Sequence, residues 1–385
     1  MKNDIEIKGF CEDRFLSIKE VFKENFDLGL EIGASFAVTL NGKLVVDIWG
    51  GYTDATHTKS WEKDTIVNVF STTKVITALC IHVLVDRGLI DLDSPVSEYW
   101  PEFAQSGKND IPVRYLLSHT AGLPGFDKKV SVEYLYNWDQ TTNLLAAQKP
   151  WWKPGTKSGY HSITFGYLLG ELVRRVTGKS IGSFFREEIA IPLNIDFHIG
   201  LSKDYDYRVA EIISPEKSIS KLQLLLLKIF FPTTYKVMFN PPIMDEDFNS
   251  RPWRAAEIPA SNGHGNARSI ALIGAILACG GKFNGKQILS KSTVENAIQE
   301  QISGRDKVIF RQKKKWGLGF GLSHEIYLKG PRSFYWSGLG GSFCIMDLKK
   351  KLSIGYAMNK MFLFDEPRGE RLVSAVWEIV NTNIK

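Results

Sequence analysis

Two serines in this sequence lie in patterns that can turn a hydroxyl group into a nucleophile. Ser180 stands at the centre of GKSIG, residues 178–182, which matches the G-x-S-x-G nucleophile pattern. Ser71 stands three residues before Lys74 in VFSTTKVITA. Residues at this spacing share one face of a helix, and a buried lysine can be neutral and accept the proton of a serine hydroxyl. The surrounding elements must decide which serine can attack a carbonyl carbon.

The residues around Ser180 predict a helix cap. A nucleophile elbow needs a buried strand before the serine and a helix after it. The preceding segment instead has the apolar spacing of an amphipathic helix, with Arg174 and Arg175 near its end and Gly178 at its C-cap. Ser180 then lies at the N-cap of the next predicted helix, IGSFFREEI. We therefore expect a structural role for Ser180.

Ser71 lies at the start of a different predicted helix. That segment, TTKVITALCIHVLVDRG, is apolar on a wide face, carries Arg87 in its last turn and closes on Gly88. The backbone N–H of Ser71 and the positive end of the helix dipole would face an oxyanion formed there. Ser71 is therefore the better candidate nucleophile.

Composition indicates an ordinary globular protein with a large core. The chain has 385 residues, of which 44% are hydrophobic and 23% charged, and we expect two structural lobes. Its net charge of +6 comes from 48 basic and 42 acidic residues. The basic triplets at 313–315 and 349–351 have no interleaved aromatic residues. We interpret them as solvated turns and expect no nucleic-acid partner.

The cysteines and histidines predict neither disulfides nor a metal site. Cys11, Cys80, Cys279 and Cys344 are widely separated and lack C-x-x-C spacing. This distribution favours free thiols in a reducing compartment. The seven histidines show no H-x-x-x-H spacing, so no bound metal is expected.

We expect a cytoplasmic protein without an integral membrane segment. The first residues, MKNDIEIKGF, lack the apolar core of a signal peptide. The longest apolar run, LQLLLLKIFF at 222–231, is about half the length of a membrane span. We interpret this run as a buried helix or a lid helix, with contact to a membrane surface as the alternative.

Strand signals at both ends of the chain predict one antiparallel sheet. An Asn-Gly pair joins two alternating runs, so residues 34–50 should form a hairpin. Further strands are predicted in WGLGFGLSHEIYL, RSFYWSGLGGSFCIMDL and KLSIGYAMN, before a last helix in RGERLVSAVWEIV. The predicted fold class is α+β. Residues 1–72 and 262–385 should form an α/β sandwich domain, and residues 73–261 an inserted, mostly helical domain with a possible lid around 215–250.

A third residue joins Ser71 and Lys74 through a resemblance to a known family. Tyr160 lies in PWWKPGTKSGYHSITFGYLLGELVRRVTG, behind a Pro-Gly turn and before a predicted helix. Here the sequence resembles the serine β-lactamase and penicillin-binding-protein superfamily, and more closely its esterase branch of family VIII carboxylesterases and related acyltransferases. The resemblance implies a β-lactamase/transpeptidase-like fold in which Ser71 is acylated while Lys74 and Tyr160 handle its proton.

The resemblance covers most of the chain, because further segments match the family in the family's order. They are VVDIWGGYTD, VNVFSTTKVITALCIHVLVDRGLIDLDSPVSEYWPEF, IPVRYLLSHTAGLPG, AEIPASNGHGNARSIALIGAILACGGKFNGKQILS and WGLGFGL.

The family's third motif lies on a sheet strand far downstream of the tyrosine. The KSG at 157–159 imitates this motif, but it stands directly before Tyr160. Trp336-Ser337-Gly338 in YWSGLGGSF has the right place and is the match.

The matched motif implies an oxyanion hole and an altered specificity. By the resemblance, the N–H groups of Ser71 and Leu339 hold the oxyanion. Trp336 replaces the lysine of K-T-G, and Ser162 replaces the asparagine of Y-x-N. Both changes remove polar contacts to a β-lactam and fit the esterase branch.

Other polar and aromatic residues are expected around the site. His119 should be structural, because a lysine–tyrosine mechanism needs no histidine base. For His161 and His264 both a pocket-lining role and simple packing stay open. Trp151, Trp152 and Trp336 are expected to form an aromatic wall. The expected substrate-binding residues are Trp336, Ser337, Gly338, His161, Ser162 and Trp152.

Together these residues predict a serine carboxylesterase. Ser71 would form an acyl-enzyme with a small-molecule ester of short to medium acyl chain, and water would release the acid. No metal or organic cofactor is implied. The alternatives are acyl transfer with the same residues, β-lactamase or D-peptidase activity, and a binding or regulatory protein on an inactive scaffold. The sequence leaves the oligomeric state open.

Overall fold

A sheet of six antiparallel strands forms the centre of the fold. The computed structural model describes residues 5–215, 220–323, 327–362 and 367–382. In chain order the strands are β1 (Lys8–Cys11), β2 (Gly33–Leu40), β3 (Lys43–Gly51), β4 (Val67–Asn68), β5 (Phe197–His198), β6 (His264–Gly265), β7 (Lys282–Phe283), β8 (Lys286–Gln287), β9 (Ile302–Arg305), β10 (Lys313–Trp316), β11 (Ser333–Ser337), β12 (Phe343–Asp347) and β13 (Leu352–Met358). The six-stranded sheet has the order β1-β3-β2-β13-β12-β11.

The predicted hairpin is confirmed as β2 and β3. Its turn residues Asn41 and Gly42 have positive φ angles of +53° and +77°, which an Asn-Gly pair adopts readily. β2 also pairs with β13, where Ile354 lies opposite Val38. The N-terminal hairpin and the C-terminal strands therefore share one antiparallel sheet, as the α+β prediction requires. The limits of the two predicted domains stay a prediction.

Many short helices lie between β4 and β6, and helices from outside this interval cover the sheet. In chain order they are α1 (Leu16–Asp27), α2 (Lys74–Asp86), α3 (Val96–Tyr99), α4 (Val113–Leu117), α5 (Trp138–Ala147), α6 (Thr164–Thr177), α7 (Ile181–Phe185), α8 (Ile191–Leu193), α9 (Lys221–Phe230), α10 (Pro232–Met238), α11 (Asp245–Asn249), α12 (Arg251–Ala255), α13 (Ala267–Ala278), α14 (Lys291–Ala297) and α15 (Pro367–Thr382).

Different helices cover the two faces of the sheet. α1 and α15 share one buried apolar cluster with the sheet, to which Phe22, Val376 and Ile354 belong. α13 packs on the other face, across β2, β12 and β13. Its close approach needs small residues, because a Cβ atom at Gly355 would lie 2.3 Å from the carbonyl oxygen of Ala267. Large and small residues therefore alternate along β13: the large side chains face α1 and α15, and the small ones face α13.

The segment after β10 is not the strand that the sequence predicted. The backbone turns away after Trp316, and the N–H of Leu318 donates to the Ala297 carbonyl over 2.8 Å. Gly319, with a φ of +92°, donates its N–H to the Leu117 carbonyl over 3.0 Å. Hydrogen bonds to the helical part therefore interrupt the strand, and within the described ranges only an isolated bridge from Gly321 to Tyr335 joins this segment to β11. Residues 324–326 of the predicted strand lie outside the described residues.

The apolar run at 222–231 forms helix α9, but it is not buried. None of the residues of α9 belongs to the buried class. The expectation of a buried helix is therefore wrong, because the protein places only one side of α9 against its neighbours. The expected lid function stays a prediction, and residues 216–219 of the proposed lid lie outside the described residues.

Arg368 ties the last helix to the rest of the domain. Its guanidinium pairs with Glu31 over 3.0 Å, and both side chains are fully buried. It also donates to the carbonyl oxygens of Lys360 over 2.9 Å and Gly340 over 2.8 Å. Removal of one partner of such a pair leaves the other charge buried and uncompensated.

We expect Arg368→Met to lower the free energy of unfolding by about 3–5 kcal/mol, because Glu31 then stays buried without its cation. Arg371→Met is the matched control, since Arg371 lies on the same helix and pairs with Glu24 at the surface. The control should lose at most about 1 kcal/mol. Urea denaturation followed by tryptophan fluorescence measures both values, and equal losses would contradict the expectation.

Candidate active site

A strained residue presents Ser71 in the short 3₁₀ turn, Ser71–Thr73, that leads into α2. Val69 N–H donates to the Gly263 carbonyl over 2.9 Å, directly after β4. The next residue, Phe70, has φ +47° and ψ −132°, a conformation that a bulky side chain rarely adopts. Its ring is buried against Phe248, with ring centroids 4.9 Å apart. Packing therefore holds the strained residue and fixes the direction of the Ser71 side chain.

The structure brings Ser71, Lys74 and Tyr160 together, as predicted. Tyr160 donates its hydroxyl hydrogen to Ser71 Oγ over 2.7 Å, and Lys74 Nζ lies 3.2 Å from the same oxygen. Lys74 Nζ also donates to the carbonyl oxygens of Ser162 over 2.6 Å and Ala260 over 2.9 Å. The Ser71 hydroxyl therefore lies between an amine and a phenol.

Burial determines the protonation of both neighbours. It lowers the pKa of the fully buried Lys74 amine well below its usual value. It raises the pKa of Tyr160 to about 12, although hydrogen bonds with Ser71 and Trp336 act in the opposite direction. A neutral amine has two N–H groups and one lone pair. The two carbonyl oxygens take the N–H groups, so the lone pair is left to accept the hydrogen of Ser71.

Asp306 anchors the Tyr160 loop, and the sequence analysis missed it. One carboxylate oxygen accepts from Tyr160 N–H over 3.0 Å and from Val308 N–H over 2.8 Å. The other accepts from Trp316 Nε1 over 3.2 Å. Asp306 is fully buried. Nothing in the polar stretch SGRDKVIF signals that burial, because its partner Tyr160 is far away in sequence.

His119 and His161 support the same loop from behind. Nδ1 of His119 accepts from His161 N–H over 3.1 Å, and the His119 ring lies 5.3 Å from the Tyr160 ring. Nε2 of His161 accepts from Leu123 N–H over 3.2 Å, so its Nδ1 carries the hydrogen and donates to the Gly159 carbonyl over 2.7 Å. Burial lowers the pKa of His161 to about 4. Backbone groups of Leu123 and Gly159 therefore hold the His161 ring in the interior, and its expected substrate contact stays a prediction.

The sequence leaves two roles open for His264, and its contacts fit the packing of the loop. Its ring is buried, and Nδ1 lies 2.8 Å from the carbonyl oxygen of Asn262. Burial lowers its pKa to about 3, so the ring is neutral at pH 7.

The third motif lies beside the nucleophile at the end of β11. A Cβ atom at Gly338 would lie 2.3 Å from the carbonyl oxygen of Val69, so only glycine allows this close approach. Ser342, which the sequence analysis missed, donates to the same carbonyl oxygen over 2.7 Å and lies 3.0 Å from Thr72 Oγ1. These contacts join the sheet edge to the segment that carries Ser71.

The amides of Ser71 and Leu339 are available to an oxyanion. Within the described residues neither N–H donates to a protein acceptor. Leu339 follows Gly338 and is 42% exposed. Their expected role as an oxyanion hole stays a prediction.

Trp336 belongs to a cluster of aromatic rings around Tyr160, and the expected aromatic wall with Trp151 and Trp152 stays a prediction. Trp336 is buried beside Trp316, with ring centroids 5.4 Å apart, and it lies 6.0 Å from the Tyr160 ring. Trp152 instead packs against Gly159 and donates Nε1 to the Lys157 carbonyl over 3.1 Å. The ammonium of Lys236 lies 4.1 Å from the centroid of the Trp151 ring.

Ser180 caps a helix, as predicted. Its Oγ accepts from Ser183 N–H over 3.2 Å at the start of α7 and donates to Glu257 over 2.6 Å. Gly178 closes α6 in the left-handed conformation, with φ +70°. No strand leads into this serine, so it lacks the geometry of a nucleophile elbow.

The four cysteines are free, as expected. Over the described ranges we find no cluster of three or more His, Cys, Asp and Glu side chains arranged for a metal ion. In the same ranges none of the helices is both long and apolar enough to span a membrane.

Comparison with known proteins decides the family. The sequence model of the beta-lactamase family matches residues 22–376. The chain belongs to the beta-lactamase family. This beta-lactamase-family protein is 38% identical over 364 residues to the esterase/beta-lactamase LipL of Mycobacterium tuberculosis, and the match covers 92% of this chain and 83% of LipL.

Two solved structures are similar to this beta-lactamase-family protein over nearly its whole length. A family VIII carboxylesterase has a TM-score of 0.89 and 41% identity, with 97% of this chain and 100% of that chain covered. A penicillin-binding-protein homologue from Caulobacter crescentus has a TM-score of 0.88 and 36% identity, with the same coverage of 97% and 100%. The resemblance to the β-lactamase and penicillin-binding-protein superfamily, with its esterase branch, is confirmed.

We expect a fluorophosphonate reagent to modify Ser71 and not Ser180, because only Ser71 has an amine and a phenol beside its hydroxyl. Peptide mass spectrometry identifies the modified serine. Ser71→Ala should abolish the labelling. Ser180→Ala should keep it and lower the free energy of unfolding by about 1 kcal/mol through the lost helix cap. Labelling of Ser180 in the wild-type protein would contradict our choice of nucleophile.

Proposed function

We propose that this protein is a serine carboxylesterase that works through an acyl-enzyme at Ser71. One observation carries the proposal: Ser71 Oγ lies 3.2 Å from Lys74 Nζ and 2.7 Å from the Tyr160 hydroxyl. A hydroxyl group held between a proton acceptor and a proton donor is arranged for attack on a carbonyl carbon. An inactive binding scaffold would have no need of this arrangement.

The contacts support a definite path for the proton in acylation. Ser71 Oγ attacks the ester carbonyl carbon while its proton moves to Lys74 Nζ. The oxyanion accepts hydrogen bonds from the N–H groups of Ser71 and Leu339. As the carbonyl re-forms and the ester C–O bond breaks, Tyr160 gives its proton to the leaving alkoxide and regains one from Lys74.

Deacylation uses the same groups in reverse. Water attacks the acyl carbon and passes a proton to Lys74 through Tyr160, and Ser71 leaves with a proton as the acid is released. The lowered pKa of Lys74 and the raised pKa of Tyr160 support this sequence, because each step begins with a free amine and an intact phenol.

The lining of the site supports esters over β-lactams. At the position of the third motif the apolar ring of Trp336 is buried among aromatic rings and presents no cation to a carboxylate. The similarity to a family VIII carboxylesterase favours the same substrate class. β-Lactam hydrolysis is the second candidate, because the M. tuberculosis relative is named for both activities. We further propose a cytoplasmic location, which the free thiols support.

Loss of either proton-handling group should lower turnover strongly. Lys74→Ala and Tyr160→Phe should each reduce kcat for a nitrophenyl ester by about 10²- to 10⁴-fold. The double variant should be little worse than the poorer single variant, because the two groups act as a unit. Steady-state kinetics on folded variants gives these ratios, and near-wild-type activity of Tyr160→Phe would remove Tyr160 from the mechanism.

The preference among substrates should follow from the apolar residues that line the candidate active site. Each buried CH₂ contributes up to about 0.8 kcal/mol, so kcat/KM should rise from acetate to butyrate or hexanoate nitrophenyl esters. Nitrocefin should react slowly or not at all. Intact-protein mass spectrometry after brief exposure should show the acyl-enzyme mass for the esters. A kcat/KM for nitrocefin equal to that of the best ester would overturn the assignment.

A double substitution checks the structural reason for this selectivity. Trp336→Lys with Ser162→Asn restores the polar residue types of a β-lactam site. It should weaken ester hydrolysis and raise the rate of acylation by nitrocefin, measured with the same two assays. Unchanged ratios would show that these two positions do not set the selectivity.

A further inference from the structure

Helix α9 turns an apolar face to solvent. Leu222, Leu225, Leu226 and Ile229 are 65%, 54%, 43% and 60% exposed. Their spacing places them on one side of the helix, and we name this set the leucine stripe. A helix on a protein surface normally has its apolar side toward the core. The leucine stripe therefore points to something outside the chain.

Positive charge accompanies the leucine stripe. Lys221 and Lys228 each precede a stripe residue and so lie along one edge of the stripe. In the described part of the chain neither forms an ion pair with a carboxylate. The segment 220–244 contains no Asp or Glu. An amphipathic helix with leucines on one face and lysines beside them has the composition that binds anionic lipid surfaces.

A short series of contacts connects α9 to the candidate active site. Phe231, which follows α9, packs against Phe310 with ring centroids 5.6 Å apart. On the adjoining α10, Thr234 donates its hydroxyl hydrogen to the Val308 carbonyl over 2.6 Å. Val308 N–H binds the Asp306 carboxylate that also holds Tyr160. The helix is therefore attached to the segment 306–310, and Asp306 of this segment holds the loop that carries Tyr160.

We propose that the leucine stripe docks this protein onto an anionic bilayer surface, from which the candidate active site takes its ester substrate. The uptake of an ester substrate from the bilayer rests on the proposed esterase function. A second copy of the chain is the less favoured occupant. A two-fold contact through this face would bring Lys221 and Lys228 of both copies together, and such like charges repel.

Vesicle binding of the full-length protein tests the docking surface. The wild type should sediment with vesicles of phosphatidylcholine and phosphatidylglycerol, more weakly with phosphatidylcholine alone, and less at high salt. Leu225→Gln with Ile229→Gln should weaken binding at least about tenfold, through lost apolar burial. Lys221→Gln and Lys228→Gln should each weaken binding about fivefold.

A matched control removes exposed apolar residues elsewhere. Leu89→Gln with Ile191→Gln changes side chains that are 48% and 60% exposed outside α9, and it should leave vesicle binding unchanged. Equal effects of the two double variants, or no binding of the wild type to the anionic vesicles, would overturn the docking surface. Sedimentation equilibrium without lipid tests the rival occupant: a dimer that the stripe variant dissociates would also overturn the proposal.

Ester hydrolysis separates this inference from the proposed function. The stripe variant should hydrolyse dissolved nitrophenyl butyrate like the wild type, because no stripe residue belongs to the proton path. It should be at least severalfold slower on nitrophenyl hexanoate held in the anionic vesicles. Vesicle binding without hydrolysis of any ester would leave docking standing and overturn the esterase assignment. Equal rates on the vesicle-held ester would overturn the supply of substrate from the bilayer.

Discussion

The candidate site depends on the burial of one amine, the side chain of Lys74. Lys74 is fully buried, and in the described part of the chain it forms no ion pair. A carboxylate beside it would favour the ammonium form and end its use as a base. Its contacts are instead the carbonyl oxygens of Ser162 and Ala260, which orient the amine without charging it. Because these oxygens come from separate parts of the chain, this environment of the amine exists only in the folded protein.

The sequence alone predicted those features whose cause lies within a few residues. The Asn41-Gly42 turn requires positive φ angles, and this requirement fixes the hairpin. The spacing of Ser71 and Lys74 places both on one side of a helix start, and the cap at Ser180 follows from the helix that ends before it. Tyr160 was predicted only from the family resemblance, because its hydrogen-bond partner Ser71 lies far away in the sequence.

Contacts between distant segments explain what the sequence could not show. Asp306 resembles any solvated acid in a polar stretch until its partners Tyr160 and Trp316 are known. Gly319 is predicted to lie in a strand, but its N–H donates to the carbonyl oxygen of Leu117 in the helical part. α1 was missed although Phe15, Ile18 and Phe22 carry helical spacing, and its burial becomes evident only beside α15.

The contacts of Arg368 determine when the candidate site is completed during protein synthesis. Ser71, Lys74 and Tyr160 leave the ribosome before β11, β12 and β13, which supply half of the six-stranded sheet. Arg368, made later still, reaches back to the carbonyl of Gly340, the neighbour of Leu339. A nascent chain therefore carries Ser71 without the loop and sheet edge beside it. The surroundings of the candidate site are complete only when nearly the whole chain has been synthesised and the last helix has docked.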